Sequence, residues 1–205
     1  MDWQAWHAKY DVPGSELARR LAVVQEQVRA GLDRAPAGPV TVVSLCAGQG
    51  RDLLEVLSDH PRRDDVRARL VELDPELAGW ARERAPEQVE VVTGDASLTD
   101  QYDGMVPADL VLMCGIFGNI STADIQRTIA AAPQFCAPGA TLIWTRHRED
   151  PDLAPTICGW FESRGFERVY LSERDAGFGV GVHRFTGSSE PLVKGSRLFT
   201  FGSSR

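Results

Sequence analysis

Apolar side chains recur along the chain in two rhythms. Between positions 15 and 32, Leu17, Leu21, Val24, Val28 and Leu32 fall three or four residues apart, the spacing that gathers one stripe on a helix. Pro13 and Gly14 precede this stretch, and Ser15 stands where a side-chain oxygen would cap the first turn. An amphipathic helix is predicted there. After the break at Pro36, Gly38 and Pro39 the rhythm changes: Val40 to Ala47 is an almost continuous apolar run rich in β-branched residues, as expected of a parallel strand buried on both faces. Runs of the same kind return at 68–73, 89–93, 108–114 and 140–145. Short helical patterns separate them, at 52–57, at 75–85 with proline in the first turn, and at 122–131 behind a Ser/Thr cap. Strands alternating with helices predict an α/β domain on a parallel sheet, and right-handed crossovers place helices on both faces. A last helix, about 153–164, leads through Gly165 to a strand at 166–171. A polar turn at 172–177 and a strand at 178–185 follow, two strands on a short loop that give the sheet an antiparallel edge. The stretch 187–195 reads as a surface loop.

A length of 205 residues suits one domain, with 1–36 as a helical cap, 40–186 as the core and 187–205 as a tail. The cap begins with Trp3, Trp6, His7 and Tyr10, an aromatic cluster too short to form a core of its own, so it must pack on the rest of the chain. Apolar residues at 43 % and charged residues at 25 % exclude a disordered or coiled-coil protein. No apolar run approaches the roughly 20 residues that cross a bilayer, and Met1, Asp2, Trp3 and Gln4 do not begin a signal peptide; a cytoplasmic protein without a membrane partner is expected. Cys46, Cys114, Cys136 and Cys158 form no CxxC pair and have no His at zinc-finger spacing, so neither a metal site nor a disulfide scaffold is expected. The net charge of -7 and a pI near 5.1 disfavour a nucleic-acid partner and favour a small-molecule substrate. Lys9 and Lys194 are the only lysines in an Arg-rich, Ala- and Gly-rich chain, a composition read as bacterial coding bias.

In an open α/β sheet, ligands bind beyond the carboxyl ends of the strands, where strand order reverses. The first strand ends in Ser44-Leu45-Cys46-Ala47-Gly48-Gln49-Gly50, and glycines in GxG spacing let the backbone turn tightly and approach a ligand. The second ends in Glu72-Leu73-Asp74-Pro75, which puts Asp74 24 positions past Gly50, placed to accept hydrogen bonds from both ribose hydroxyls of a nucleotide-type cofactor. The third ends in Thr93-Gly94-Asp95-Ala96, where a second carboxylate can accept from an adenine amino group.

With these landmarks in this order, the chain resembles the class I S-adenosylmethionine-dependent methyltransferases from about Val40 to Phe185. The resemblance implies a doubly wound, seven-stranded Rossmann-like α/β sheet, mostly parallel with an antiparallel C-terminal edge strand and preceded by an N-terminal helical segment. It implies S-adenosylmethionine as cofactor and S-adenosylhomocysteine as product. Gly48 and Gly50 would face the cofactor's amino-acid part, Asp74 with Pro75 its ribose and Asp95 its adenine, with Ala96 beside the ring. The fourth landmark of the family matches Asp109 to Gly115, and the turn into its fifth strand matches Pro138 to Leu142. Two positions depart from the pattern: Ser44 stands where the family has an acid and Cys46 where it has a glycine. A backbone carbonyl, of Ala47 or Gly115, would then accept from the methionine ammonium. Cys46 and Cys114, at the ends of adjacent strands, read as small core fillers.

The acceptor side rests on fewer residues. His147 follows the fifth strand between Arg146 and Arg148, and an imidazole with an ordinary pKa near 6.5 suits a general base; a surface histidine in a charged turn is the alternative. His7 and Tyr10 are further catalytic candidates on a segment expected to fold over the cofactor. Phe117 and Asn119 are expected in the cleft, Asn119 either orienting a substrate or capping the helix near Ser121, and Arg146 is expected to bind a carboxylate or phenolate. The expected activity is methyl transfer to oxygen or nitrogen of a small molecule. An NAD(P)-dependent oxidoreductase is the main rival, but its GxGxxG fingerprint would need glycine where Leu53 stands. A protein that binds the cofactor without transferring methyl is the second rival. No Asn-Pro-Pro-Tyr type loop or Pro-Cys pair follows the fourth strand, which argues against nucleic-acid methylation.

Overall fold

The computed structural model describes residues 12 and 14–202. Helix α1 (Glu16–Arg34) forms as its stripe predicts: Ser15 Oγ accepts from the Ala18 amide at 3.1 Å, and Leu17, Leu21, Val24, Val28 and Leu32 are its buried face. The chain then alternates through β1 (Val40–Leu45), α2 (Arg51–Leu57), β2 (Val66–Glu72), α3 (Pro75–Arg84), β3 (Val89–Thr93), β4 (Ala108–Met113), α4 (Thr122–Ala131), β5 (Cys136–His147), α5 (Ala154–Glu162), β6 (Phe166–Leu171) and β7 (Phe178–Phe185).

All seven strands form one sheet in the order β3-β2-β1-β4-β5-β7-β6. The pairs from β3 to β5 are parallel, while β7 runs antiparallel to both neighbours. The reversed strand is therefore the last in sequence, and it enters between β5 and β6, leaving β6 at the edge. Strand order reverses between β1 and β4, because β2 and β3 lie on one side of β1 and β4 and β5 on the other. That is where the fold opens a crevice. β5 begins at Cys136, earlier than its apolar run at 140, because Cys136 already pairs with Ala108 ahead of an irregularity in the ladder.

Alternation along the strands divides the core in two. Val42, Leu70 and Leu110 pack with Val24, Val28 and Leu32 of α1 and with Leu53 and Leu57 of α2. Val43, Val111, Leu142 and Trp144 pack on the opposite face with Ile125 of α4 and Ile157 and Phe161 of α5.

The stretch after β7 is more than a surface loop. Its end is a strap laid across the carboxyl ends of the strands: the Leu198 amide donates to Ser97 O at 2.8 Å, the Thr200 amide to Asp124 Oδ2 at 3.2 Å, and the Gly202 amide to Asn119 O at 3.2 Å. Leu198 and Phe199 are buried beneath it. No helix among the described residues is long and apolar enough to cross a membrane.

Candidate functional site

A cavity of about 440 Å³ opens at the crevice, bounded by the carboxyl ends of β1 to β5, the first turns of α1 and α2, and the strap. Its size lies within the usual range for a small-molecule site.

The loop after β1 forms its floor. Cys46, Gly48 and Gly50 all have positive φ, at 53°, 56° and 69°. A glycine at position 46 would take that conformation freely, whereas cysteine carries a backbone strain of about 1–2 kcal/mol. Gly50 is the left-handed cap of α2, and a Cβ there would lie 2.7 Å from Leu70 Cδ2 and 2.9 Å from Leu54 Cδ1. Gly50 is thus fixed by the turn and by the core behind it, and the wall that faces the cavity is formed by Ala47, Gly48 and Gln49.

At the end of β2 two carboxylates, Glu72 and Asp74, border the cavity with different partners. Glu72, only 9 % exposed, accepts from the Gly48 amide through Oε2 at 2.7 Å and from the Asp74 amide through Oε1 at 2.9 Å. Burial pushes its carboxyl up, and the amides of Asp74, Gly48 and Leu73 oppose that shift. Asp74 also borders the cavity, but its Oδ1 accepts from the Glu76 and Leu77 amides at 2.8 and 3.2 Å and caps α3. The carboxylate that ties strand β2 to the glycine loop is therefore Glu72, with Asp74 two residues beyond it engaged by a helix. Pro75 is exposed in the first turn of α3 and does not line the cavity.

Asp95 reaches the cavity from the end of β3. Its Oδ1 accepts from the Ser97 amide and hydroxyl at 3.0 and 2.6 Å, and its Oδ2 pairs with Arg197 of the strap at 2.8 Å. Burial pulls its carboxyl upward, but Ser97 and Arg197 together hold it below the ordinary range. Ala96 beside it is buried, its carbonyl held by the hydroxyl of the buried Tyr102 at 2.9 Å.

The opposite half of the cavity has a different character. Helix α1 contributes Arg20, Leu21 and Val24, helix α2 contributes Asp52, and Cys114, Gly115 and Thr145 come from the ends of β4 and β5. Thr145 Oγ1 accepts from the Gly115 amide at 2.8 Å and sets the path of the loop after β4. Burial pushes the Asp52 carboxyl up, while the charge of Arg20 and a hydrogen bond from the Cys114 thiol oppose it. Burial also raises both Cys114 and Cys46 well above the ordinary thiol range, aided by Asp52 at the first and by Glu72 and Asp95 at the second. Neither is a thiolate nucleophile. Cys46 packs with the core on one face of the sheet and Cys114 with the core on the other, and all four cysteines are free.

Four residues expected near the acceptor lie away from the cavity wall. Phe117 has 0 % exposure and packs between Trp144 and Phe161, with ring centroids 5.9 and 6.2 Å away; an apolar ring of that size gains more from the core than from an open cleft. Asn119 donates from Nδ2 to Gly115 O at 2.8 Å, which stiffens its own loop, and the cap of α4 is Ser121, whose Oγ accepts from the Asp124 amide at 3.1 Å. Arg146 donates from Nη1 to Phe117 O, and burial lowers its pKa. Strand alternation explains its direction: Trp144 enters the α5 core and Thr145 meets the cavity, so Arg146 turns back to the Trp144 side. His147, 35 % exposed at its side chain, lies 3.9 Å from Glu149, and its buried Nδ1 has no hydrogen-bond partner among the described residues. Burial, then the charge of Arg146, lowers its pKa. His7 and Tyr10, with Trp3 and Trp6, lie outside the described residues.

The wall thus unites Ala47, Gly48, Asp74, Asp95, Ala96 and Gly115 of the expected set, and leaves out Gly50, Pro75, Phe117, Asn119, Arg146 and His147. It adds Glu72, Arg20, Asp52, Thr145 and Phe201. Of these, Glu72 carried a sequence signal, being the last residue of a buried strand, one residue ahead of an Asp-Pro helix start.

No family model and no curated protein matches the sequence. Solved structures do match. The chain is similar, with a TM-score of 0.64 and 21 % identity over 90 % of its length and 85 % of the other, to the 1,6-didemethyltoxoflavin-N1-methyltransferase of Burkholderia thailandensis, solved with 1,6-didemethyltoxoflavin and S-adenosylhomocysteine bound. An O-methyltransferase family protein of the same organism gives a TM-score of 0.64 and 19 % identity over 84 % of this chain, which spans 57 % of that protein. The N-methyltransferase NodS of Bradyrhizobium japonicum WM9, in complex with S-adenosylhomocysteine, gives 0.62 and 14 % identity over 86 % of this chain and 90 % of the other. At such identities the likeness is one of fold.

Proposed function

We propose that this chain, which has the Rossmann-like fold of the class I methyltransferases, is an enzyme that transfers the methyl group of S-adenosylmethionine to a small-molecule acceptor. One observation carries the reading: at the point where strand order reverses, a glycine loop and two strand-end carboxylates, Glu72 and Asp95, border a single cavity of about 440 Å³. These acceptors fit an adenosine. Glu72 accepts from the ribose hydroxyls, a role the sequence assigned to Asp74. Asp95 accepts from the adenine amino group on the side of Oδ2 that Arg197 leaves open, with Ala96 beside the ring. Gly48, Ala47 and Gly115 border the amino-acid end. The fold neighbours crystallised with S-adenosylhomocysteine support the same cofactor here.

The cofactor supplies a methyl group on a sulfonium, open to in-line attack by an oxygen or nitrogen lone pair; the sulfur keeps the bonding electrons and becomes a neutral thioether. The protein's part is to align the two partners and exclude water, which together account for much of the lowering of such a barrier. His147 is the proposed proton acceptor. It stands against the loop after β4, its Cδ2 3.2 Å from where a Cβ of Gly118 would be, and its lowered pKa keeps the imidazole neutral near pH 7.

Calorimetric titration and thermal denaturation with S-adenosylhomocysteine and with NAD test the cofactor. At a hundred times its dissociation constant, S-adenosylhomocysteine should add about 2.7 kcal/mol of stability. Stabilisation by NAD alone would favour the oxidoreductase, a reading already opposed by Leu53, which is 1 % exposed in the core at the position where a dinucleotide fingerprint needs glycine.

A further inference from the structure

Asp95 differs from the other carboxylates of the wall in what holds it. Its Oδ1 accepts from both the amide and the hydroxyl of Ser97, at 3.0 and 2.6 Å, and its Oδ2 accepts from Arg197 Nη1 at 2.8 Å. The same Nη1 donates to Ser97 Oγ at 2.6 Å, so Asp95, Ser97 and Arg197 close a ring of hydrogen bonds. A carboxylate offers about four acceptor positions. Three are filled among the described residues, and the one left is on Oδ2. Arg197 itself does not border the cavity. Nor is its side chain needed to dock the strap, whose backbone is held on both sides of it: Ser196 O accepts from the Thr99 amide at 3.0 Å, and the Leu198 amide donates to Ser97 O at 2.8 Å. The side chains of Arg197 and Asp95 are 49 % and 34 % exposed, and an ion pair so open to water contributes little to stability. What the guanidinium changes is the carboxylate beside it: against the upward pull of burial, Ser97 and then Arg197 hold Asp95 below the ordinary range.

We propose that Arg197 is a positioning residue: acting through Asp95, it leaves a single acceptor facing the cavity and so sets a preference for a purine with an amino group there over one with an oxo group. The inference rests on the cofactor reading above and adds to it the side chain that makes the base contact selective. An amino group donates one hydrogen to the open position of Oδ2. An oxo group brings a lone pair against it, and two facing acceptors leave both unsatisfied in a site partly removed from water. The discrimination lasts only while the carboxylate stays ionised and keeps its orientation, because a protonated carboxyl could donate to the oxygen. Arg197 secures both conditions. Its charge favours the ionised form, and its two contacts fix the carboxylate against Ser97. The strap therefore takes part in choosing the base without touching it.

Two ligands separate this role from a structural one: S-adenosylhomocysteine, and its deaminated counterpart S-inosylhomocysteine, which carries an oxo group where the adenine amino group stands. Calorimetric titration of the wild type, Arg197→Gln and Arg197→Lys with both is the test. The wild type should prefer the amino compound on the order of 10- to 100-fold, the difference expected for one charge-assisted hydrogen bond. In Arg197→Gln that ratio should shrink about fivefold or more through weaker binding of S-adenosylhomocysteine, with S-inosylhomocysteine held within about threefold. Arg197→Lys should recover most of the ratio, since a single nitrogen makes both contacts and an ammonium carries the donors for them. Both variants should melt within about 4 °C of the wild type. An unchanged ratio in Arg197→Gln overturns the proposal, whether both affinities hold or fall together. A ratio that lysine does not recover, or a wild type that binds the two ligands equally, overturns it as well, although the cofactor reading stands in each of these cases. A variant that does not fold shows the side chain to be structural and overturns it likewise. A wild type that binds neither ligand overturns the cofactor reading and the proposal with it.

Discussion

Exchanging the two carboxylates at the end of β2 for alanine, one at a time, separates the site from its scaffold. Glu72→Ala removes the acceptor proposed for the ribose hydroxyls, and a hydrogen bond to a charged acceptor contributes about 1.5–3 kcal/mol. Losing both therefore weakens S-adenosylhomocysteine by about 3 kcal/mol or more, roughly 150-fold. The same variant leaves the Gly48 amide without its 2.7 Å partner, and an unsatisfied buried donor costs about 1–3 kcal/mol of stability. Asp74→Ala removes a helix cap that accepts from the Glu76 and Leu77 amides, which costs about 1 kcal/mol, or roughly 2–4 °C in a domain of this size. Both variants thus melt earlier, and stability alone does not tell them apart. Affinity does: calorimetry should find Asp74→Ala within about threefold of the wild type and Glu72→Ala more than a hundredfold weaker. The reverse ranking would refute the placement of Glu72 in the site and return the ribose to Asp74.

Three further outcomes follow from the surroundings of particular residues. His183 is buried among aromatic rings, accepts from Trp144 Nε1 at 3.2 Å, and is lowered to a pKa of about 4, by burial first and then by the charge of Arg168. Because its folded pKa lies below its unfolded value of 6.5, its full contribution to stability is present above pH 6.5. That contribution declines as the pH falls toward 4, by about 3 kcal/mol in all, and urea denaturation across that window should show a decline that His183→Gln flattens; equal slopes in the two proteins would contradict it. Cys46→Val should destabilise by about 2 kcal/mol, since a β-branched side chain is strained at a φ of 53°, whereas Cys46→Gly should remain within about 1 kcal/mol of the wild type; equal losses would locate the effect in packing. Phe199→Ala should remove about 3 kcal/mol and weaken S-adenosylhomocysteine, because the buried ring anchors the strap whose Phe201 and Gly202 close the cavity; a melting temperature equal to that of the wild type would show the strap to be idle.

The strands, the helices and the reversal of β7 were legible because their signals are local: β-branched apolar runs, a three-four stripe, caps and prolines each act over a few residues. The floor of the site was legible for the same reason, since a glycine loop can be recognised from its own backbone demands. Asp74 borders the cavity as expected, and the reassignment of the ribose to Glu72 is a proposal: Glu72 and Asp74 sit two apart, on the same side of an extended chain, and spacing alone does not tell the last residue of a strand from the cap of the next helix. The Asp-Pro pair settles it, because proline in a first turn makes its predecessor the cap.

The residues expected on the acceptor side lie off the cavity wall for a different reason. Phe117, Asn119, Arg146 and His147 were chosen for nearness in sequence to the ends of β4 and β5, but nearness does not fix direction. Trp144 is committed to the core by its size, so Arg146, two residues on, follows it away from the cavity and Thr145 between them faces it. The wall is lined instead by Arg20, Asp52, Phe201 and Gly202, from two helices and a strap that no local pattern connects; Arg197 reaches Asp95 from 102 residues away. The part of the wall proposed to hold an adenosine is thus set by short backbone motifs, and the rest of the wall by packing between distant segments. On the proposed reading, substitutions in α1 and at Phe201 and Gly202 of the strap change which molecule is accepted while the glycine loop, Glu72 and Asp95 keep their hold on the nucleoside.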